Sequence, residues 1–61
     1  SVPTFPLRGL DLLKLGMTMV QLGEKDQGCK MISGLKKEYP KATKSVLQKA
    51  QYEQKKFKCK S

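Results

Sequence analysis

Few residues in this chain could carry chemistry. There are two cysteines, Cys29 and Cys59, and five acids, Asp11, Glu24, Asp26, Glu38 and Glu53, and there is no histidine. A nucleophilic thiol or hydroxyl needs an adjacent base to activate it. Cys29, Cys59, Ser33 and Ser45 have no recognisable partner of that kind. The acids show no paired-carboxylate spacing, and the cysteines are too far apart for a CxxC redox motif. Two cysteines without histidine are too few for a structural zinc site. The expectation is therefore a non-catalytic chain with no metal, no cofactor and no small-molecule substrate. The cysteines leave two readings: two thiols in a reducing cytosol, or one disulfide in an oxidising compartment. In a short chain with a modest core, an even cysteine count favours the disulfide.

The other chemical signal is charge. The formal net charge is +8, and every basic residue except Arg8 is lysine. Residues 41–61 carry Lys41, Lys44, Lys49, Lys55, Lys56, Lys58 and Lys60 against Glu53 alone. Such a segment can attract nucleic acid, anionic lipid or an acidic protein, or can simply be a solvated surface. Base readout usually relies on arginine and stacking on aromatic platforms. With one arginine, and with Tyr52 and Phe57 expected in the core, nucleic acid is disfavoured. A small secreted basic helical protein that binds nucleic acid or anionic membrane surfaces is the alternative function.

The elements that would position these residues are helical. At 61 residues the chain is one domain at most. It lacks an initiator methionine and a recognisable signal peptide, and no apolar stretch is long enough for a membrane span. It reads as a mature product or an excised domain. Pro3 and Pro6 make residues 1–9 irregular. Leu12, Leu15, Met19 and Leu22, with Leu13, Met17 and Val20 beside them, recur at helical spacing, and Gly23 supplies a C-terminal cap. A second helix starts near Glu24 to Asp26, whose acids suit the helix dipole and supply capping oxygens. Pro40 ends it. A third helix covers about residues 42–58, with Val46, Ala50 and Phe57 on a narrow apolar stripe. The expected fold is all-α, a three-helix module. It consists of a hairpin over residues 10–40 and a capping helix with a basic tail over residues 41–61.

The first two helices share a more specific spacing. Leu12, Leu15-Gly16, Met19, Gly28, Ile32 and Pro40 follow the order of the tetratricopeptide pattern, with Leu12, Met19 and Gly28 in place of its Trp, Tyr and Ala. Gly16 and Gly28 would let two antiparallel helices approach closely, and Leu12, Leu15, Met19, Ile32 and Leu35 would fill the space between them. Shifting by one repeat length of about 34 residues takes Leu12 to Val46 and Gly16 to Ala50, but Leu15 to Lys49 and Met19 to Glu53. The third helix therefore reads as a degenerate continuation that caps the hairpin. If it packs antiparallel to the second helix, its end returns beside Cys29, and a Cys29–Cys59 bond becomes reasonable.

Several segments in order carry a family resemblance: Leu12-Leu13-Lys14-Leu15-Gly16, Leu22-Gly23-Glu24-Lys25-Asp26-Gln27, Cys29, Glu38-Tyr39-Pro40-Lys41-Ala42 and the terminal Cys59. Over roughly residues 10–59 the chain resembles the C-terminal end of the Tol–Pal-associated YbgF/CpoB family. Alphaproteobacterial members look most similar. The resemblance implies a periplasmic interaction scaffold in the cell-division envelope machinery, whose tetratricopeptide repeats bind the protein TolA. Family members also carry a coiled coil and earlier repeats that this chain lacks, and usually have alanine where Gly28 stands. Binding grooves of such hairpins are lined largely by the first helix, which makes Leu13, Lys14, Met17, Thr18 and Gln21 the candidate partner-binding residues.

Overall fold

A computed structural model describes residues 8–60. The expected irregularity of residues 1–7 lies outside them. The described chain is all-α: α1 (Gly9–Gln21), α2 (Lys25–Ser33), α3 (Leu35–Glu38) and α4 (Lys44–Lys56).

Each helix boundary has a local cause. α1 ends in a Schellman turn. Gly23 takes φ +96, its N–H donates to Val20 O, and Glu24 N–H donates to Met19 O at 2.8 Å. That left-handed position suits glycine because it has no Cβ to clash. α2 begins one residue later, with Glu24 in the cap position. No side-chain oxygen caps it, so the expected acidic capping contributes only through charge, from Asp26 in the first turn.

The second helix is not continuous to residue 39. Gly34 interrupts it and separates α2 from α3. Ser33 Oγ donates to Lys30 O at 3.2 Å, a carbonyl that also accepts from Gly34 N–H, so the local turn competes with a regular ladder. Tyr39, the residue before Pro40, leaves helical geometry at φ −131, ψ 70. Ala42 N–H then donates to Tyr39 O, closing a turn around Pro40 and Lys41. α4 starts later than residue 42 because Thr43 is its N-cap, with Oγ1 accepting from Val46 N–H at 3.4 Å.

α1 and α2 form the main interface, and α4 lies across both. Leu12, Leu13, Ile32, Leu35 and Ala50 are the buried cluster, with Met17, Met31, Tyr39, Val46, Leu47 and Phe57 packed around it. The crossing of α1 and α2 is built on glycine. A Cβ on Gly28 would lie 2.5 Å from Gly16 O and 2.5 Å from Val20 Cγ2. A Cβ on Gly16 would lie 2.8 Å from Ile32 Cγ1 and 3.1 Å from Gly28 O.

This crossing sets the rotation of α1, which differs from the expected one. Successive residues advance by about 100° around a helix. With Gly16 facing α2, Leu13 falls about 60° from the contact line, and Leu15 about 100° from it on the other side. Leu13 is accordingly 0% exposed, while Leu15 is 42% and Leu22 77% exposed. The expectation that Leu15 fills the space between the helices is corrected. Leu13 takes that place, and Met19 is half-buried.

Candidate functional site: the outer face of α1 and the disulfide end

α1 turns Gly9, Leu12, Leu13 and Gly16 to the interior and leaves an outward arc. Lys14, Thr18 and Gln21 are exposed on that arc. The structure therefore brings together three of the five candidate partner-binding residues. Leu13 is not among them, because its burial removes it from any surface. Met17 is half-buried and packs against the core cluster. Thr18 Oγ1 donates to Lys14 O at 2.9 Å, so that hydroxyl is already engaged within its own helix.

Leu15 and Leu22 are the residues that sequence reasoning missed. They sit seven apart, two helical turns, with half-buried Met19 between them; Leu15 is on the flank of that arc and Leu22, the C-cap residue just past α1, extends it. The signal was present in the glycines. Once Gly16 is taken as the contact point with the partner helix, Leu15 cannot also face that helix.

The remaining pattern residues lie in the interior or at the chain reversal. Leu12 and Ile32 are buried, Gly16 and Gly28 form the crossing, and Pro40 is exposed at the turn before α4. A concavity of about 670 Å³ opens at that turn, lined mainly by Leu10, Tyr39, Pro40, Ala42 and Val46.

At the opposite end of α4, Cys29 and Cys59 form a disulfide, with Cα atoms 5.5 Å apart. A second Schellman turn aims Cys59 at α2. Lys58 N–H donates to Lys55 O, Cys59 N–H donates to Gln54 O at 2.9 Å, and Lys58 takes φ +56. A lysine holds this left-handed position without glycine's freedom. Cys29 is buried and Cys59 half-buried, so the bond closes α4 over the start of α2. Lys25, Lys30, Lys58 and Lys60 surround a shallow concavity beside it, with Asp26 and Ser33.

Glu53 is the one buried ionisable group among the described residues. It is 2% exposed, on the inner side of α4 with Ala50. Its Oε1 lies 3.9 Å from Lys56 Nζ and has no hydrogen-bond partner. Among the described residues no group of three or more His, Cys, Asp or Glu side chains could hold a metal ion. No helix among the described residues is long and apolar enough to cross a membrane. No family model, curated protein or solved structure matches the chain.

Proposed function

We propose that this chain is a non-catalytic helical interaction module whose binding face is the outward arc of α1. The observation that carries the reading is the exposure of Leu15 and Leu22 on that arc and its extension, at 42% and 77%. In a chain whose core is so small, two large aliphatic side chains left in water at helical spacing fit a partner helix or groove that covers them. Lys14, Thr18 and Gln21 supply a polar rim beside them.

The resemblance to the YbgF/CpoB family gives this reading its finer form. The module would be the last tetratricopeptide hairpin of a periplasmic scaffold, and its partner a TolA-like protein of the Tol–Pal cell-division machinery. The Cys29–Cys59 disulfide supports an oxidising compartment. Titration of the chain with a purified TolA domain tests both levels. Binding that is lost in Leu15→Glu/Leu22→Glu, with helicity unchanged, is the expected result. No binding by the unaltered chain removes the TolA assignment. Binding that survives the double substitution removes the α1 face.

A further inference from the structure

The composition of residues 41–61 sets seven lysines against Glu53. The fold takes that one acid off the surface, since Glu53 is 2% exposed and turned inward with Ala50. The outer side of α4 is therefore free of acids. Lys44, Gln48, Gln51 and Lys55 follow one another at helical spacing in one row, with Tyr52 about 70° to one side, and all are exposed, whereas exposed Lys49 lies further round the helix towards Glu53. Lys44 and Lys55 are separated by about three turns, roughly 16 Å along the axis.

Beyond α4, Lys58 and Lys60 continue the basic surface around the disulfide to Lys25 and Lys30 of α2, where Asp26 is the one acid. Ion pairs among the described residues join Arg8 to Asp11 and Lys56 to Glu53, and leave Lys44, Lys49, Lys55, Lys58 and Lys60 without a counter-charge.

We propose that this outer face of α4 docks the chain onto an anionic phospholipid surface, through a contact separate from the binding face of α1. Charge complementarity sets the sign of the partner, and three observations select lipid. The disulfide fits an oxidising compartment, away from most nucleic acid. All cations on the face are lysines, compact charges that suit a fluid layer of headgroups better than the bidentate recognition for which arginine is preferred. The one large apolar group on the face is Tyr52, which the sequence placed in the core but the fold leaves 65% exposed, and a tyrosine ring with a polar tip suits the membrane–water interface.

The test is co-sedimentation of the disulfide-bonded chain with vesicles of phosphatidylglycerol and phosphatidylcholine in equal parts, at low salt, with pure phosphatidylcholine as the blank. Each lysine near an anionic surface contributes about fivefold to partitioning. Lys44→Gln/Lys55→Gln/Lys60→Gln should therefore bind on the order of 100-fold more weakly. Lys36→Gln/Lys37→Gln/Lys41→Gln has the same net charge but removes lysines lying off the face, and should lose no more than about tenfold through weaker long-range attraction. Circular dichroism confirms that both variants keep their helices. Tyr52→Ser should weaken binding further without changing the salt dependence. The proposal is overturned if the unaltered chain does not sediment with the anionic vesicles, or if the two triple variants lose equally. It is also overturned if an RNA or DNA oligomer at matched phosphate concentration binds more tightly than the vesicles.

Discussion

Gly28→Ala is the substitution whose outcome depends most on the packing described above. On an isolated helix the change is favourable by about 1 kcal/mol, because glycine loses more backbone freedom than alanine on ordering. In this fold the new methyl would stand 2.5 Å from Gly16 O, 2.5 Å from Val20 Cγ2 and 2.9 Å from Val20 N. Non-bonded heavy atoms rest at about 3.5 Å or more, so α1 must move by about 1 Å, and a gap of that size forfeits a quarter to a half of each contact it opens. Two of the three obstructing atoms are backbone, so no rotamer change relieves them. Overpacking of this kind costs about 1–3 kcal/mol, and the backbone contacts place Gly28 at the upper end. The net loss is about 2 kcal/mol, which for a domain of this size lowers Tm by roughly 8–16 °C. Thermal melts of the disulfide-bonded protein, followed at 222 nm, measure it. Gly16→Ala should fall less, because its shortest contact, 2.8 Å, is to the movable Ile32 Cγ1. A Gly28→Ala protein that melts at or above the parent temperature would refute the close crossing.

The disulfide closes a chain separation of 30 residues, so its reduction should cost about 3.6 kcal/mol on the chain-entropy relation. A melt in a phosphine reductant checks this, and a shift of only a few degrees would mean that α4 stays docked by packing alone. Leu13→Ala should destabilise by about 3 kcal/mol through the cavity it leaves, whereas Leu15→Ala should change stability by less than about 0.5 kcal/mol. Urea titrations of the pair decide the rotation of α1, and the reverse order would return Leu15 to the core. Lys58→Gly should stabilise by about 0.5–1 kcal/mol, by relieving a left-handed lysine, and a loss of stability would show that the lysine side chain itself holds the turn.

How much of this was legible in the sequence varies residue by residue. The all-α class follows from apolar spacing and the scarcity of β-branched runs. Both are local properties, and the fold has that class among the described residues. Gly23 and Pro40 mark chain reversals because each restricts or frees its own backbone, whatever surrounds it. The Cys29–Cys59 pair was legible only as a conditional, dependent on antiparallel packing of the last helix. The interruption at Gly34 was not legible, because glycine within a helical pattern is often tolerated and its effect here depends on the bond between Ser33 and Lys30 O. The turn at Lys58 was not legible either, since nothing in a lysine announces a positive φ.

The candidate site divides along the same line. The residues alone determine that α1 is a helix with apolar side chains around much of its girth, and that the chain ends in a lysine-rich helix with a single acid. They do not determine which of Leu13 and Leu15 meets water. The meeting of Gly16 with Gly28 decides that, because close backbone approach is possible only where both helices lack side chains, and it fixes the rotation of everything else on α1. Nor do they determine that Glu53 faces inward. Its burial follows from α4 being held by Ala50 on one turn and by the disulfide beyond its end, so the carboxylate is carried into the interface by its position on the helix. Element type is a property of each segment, whereas the chemistry shown to a partner depends on how the segments are rotated against one another.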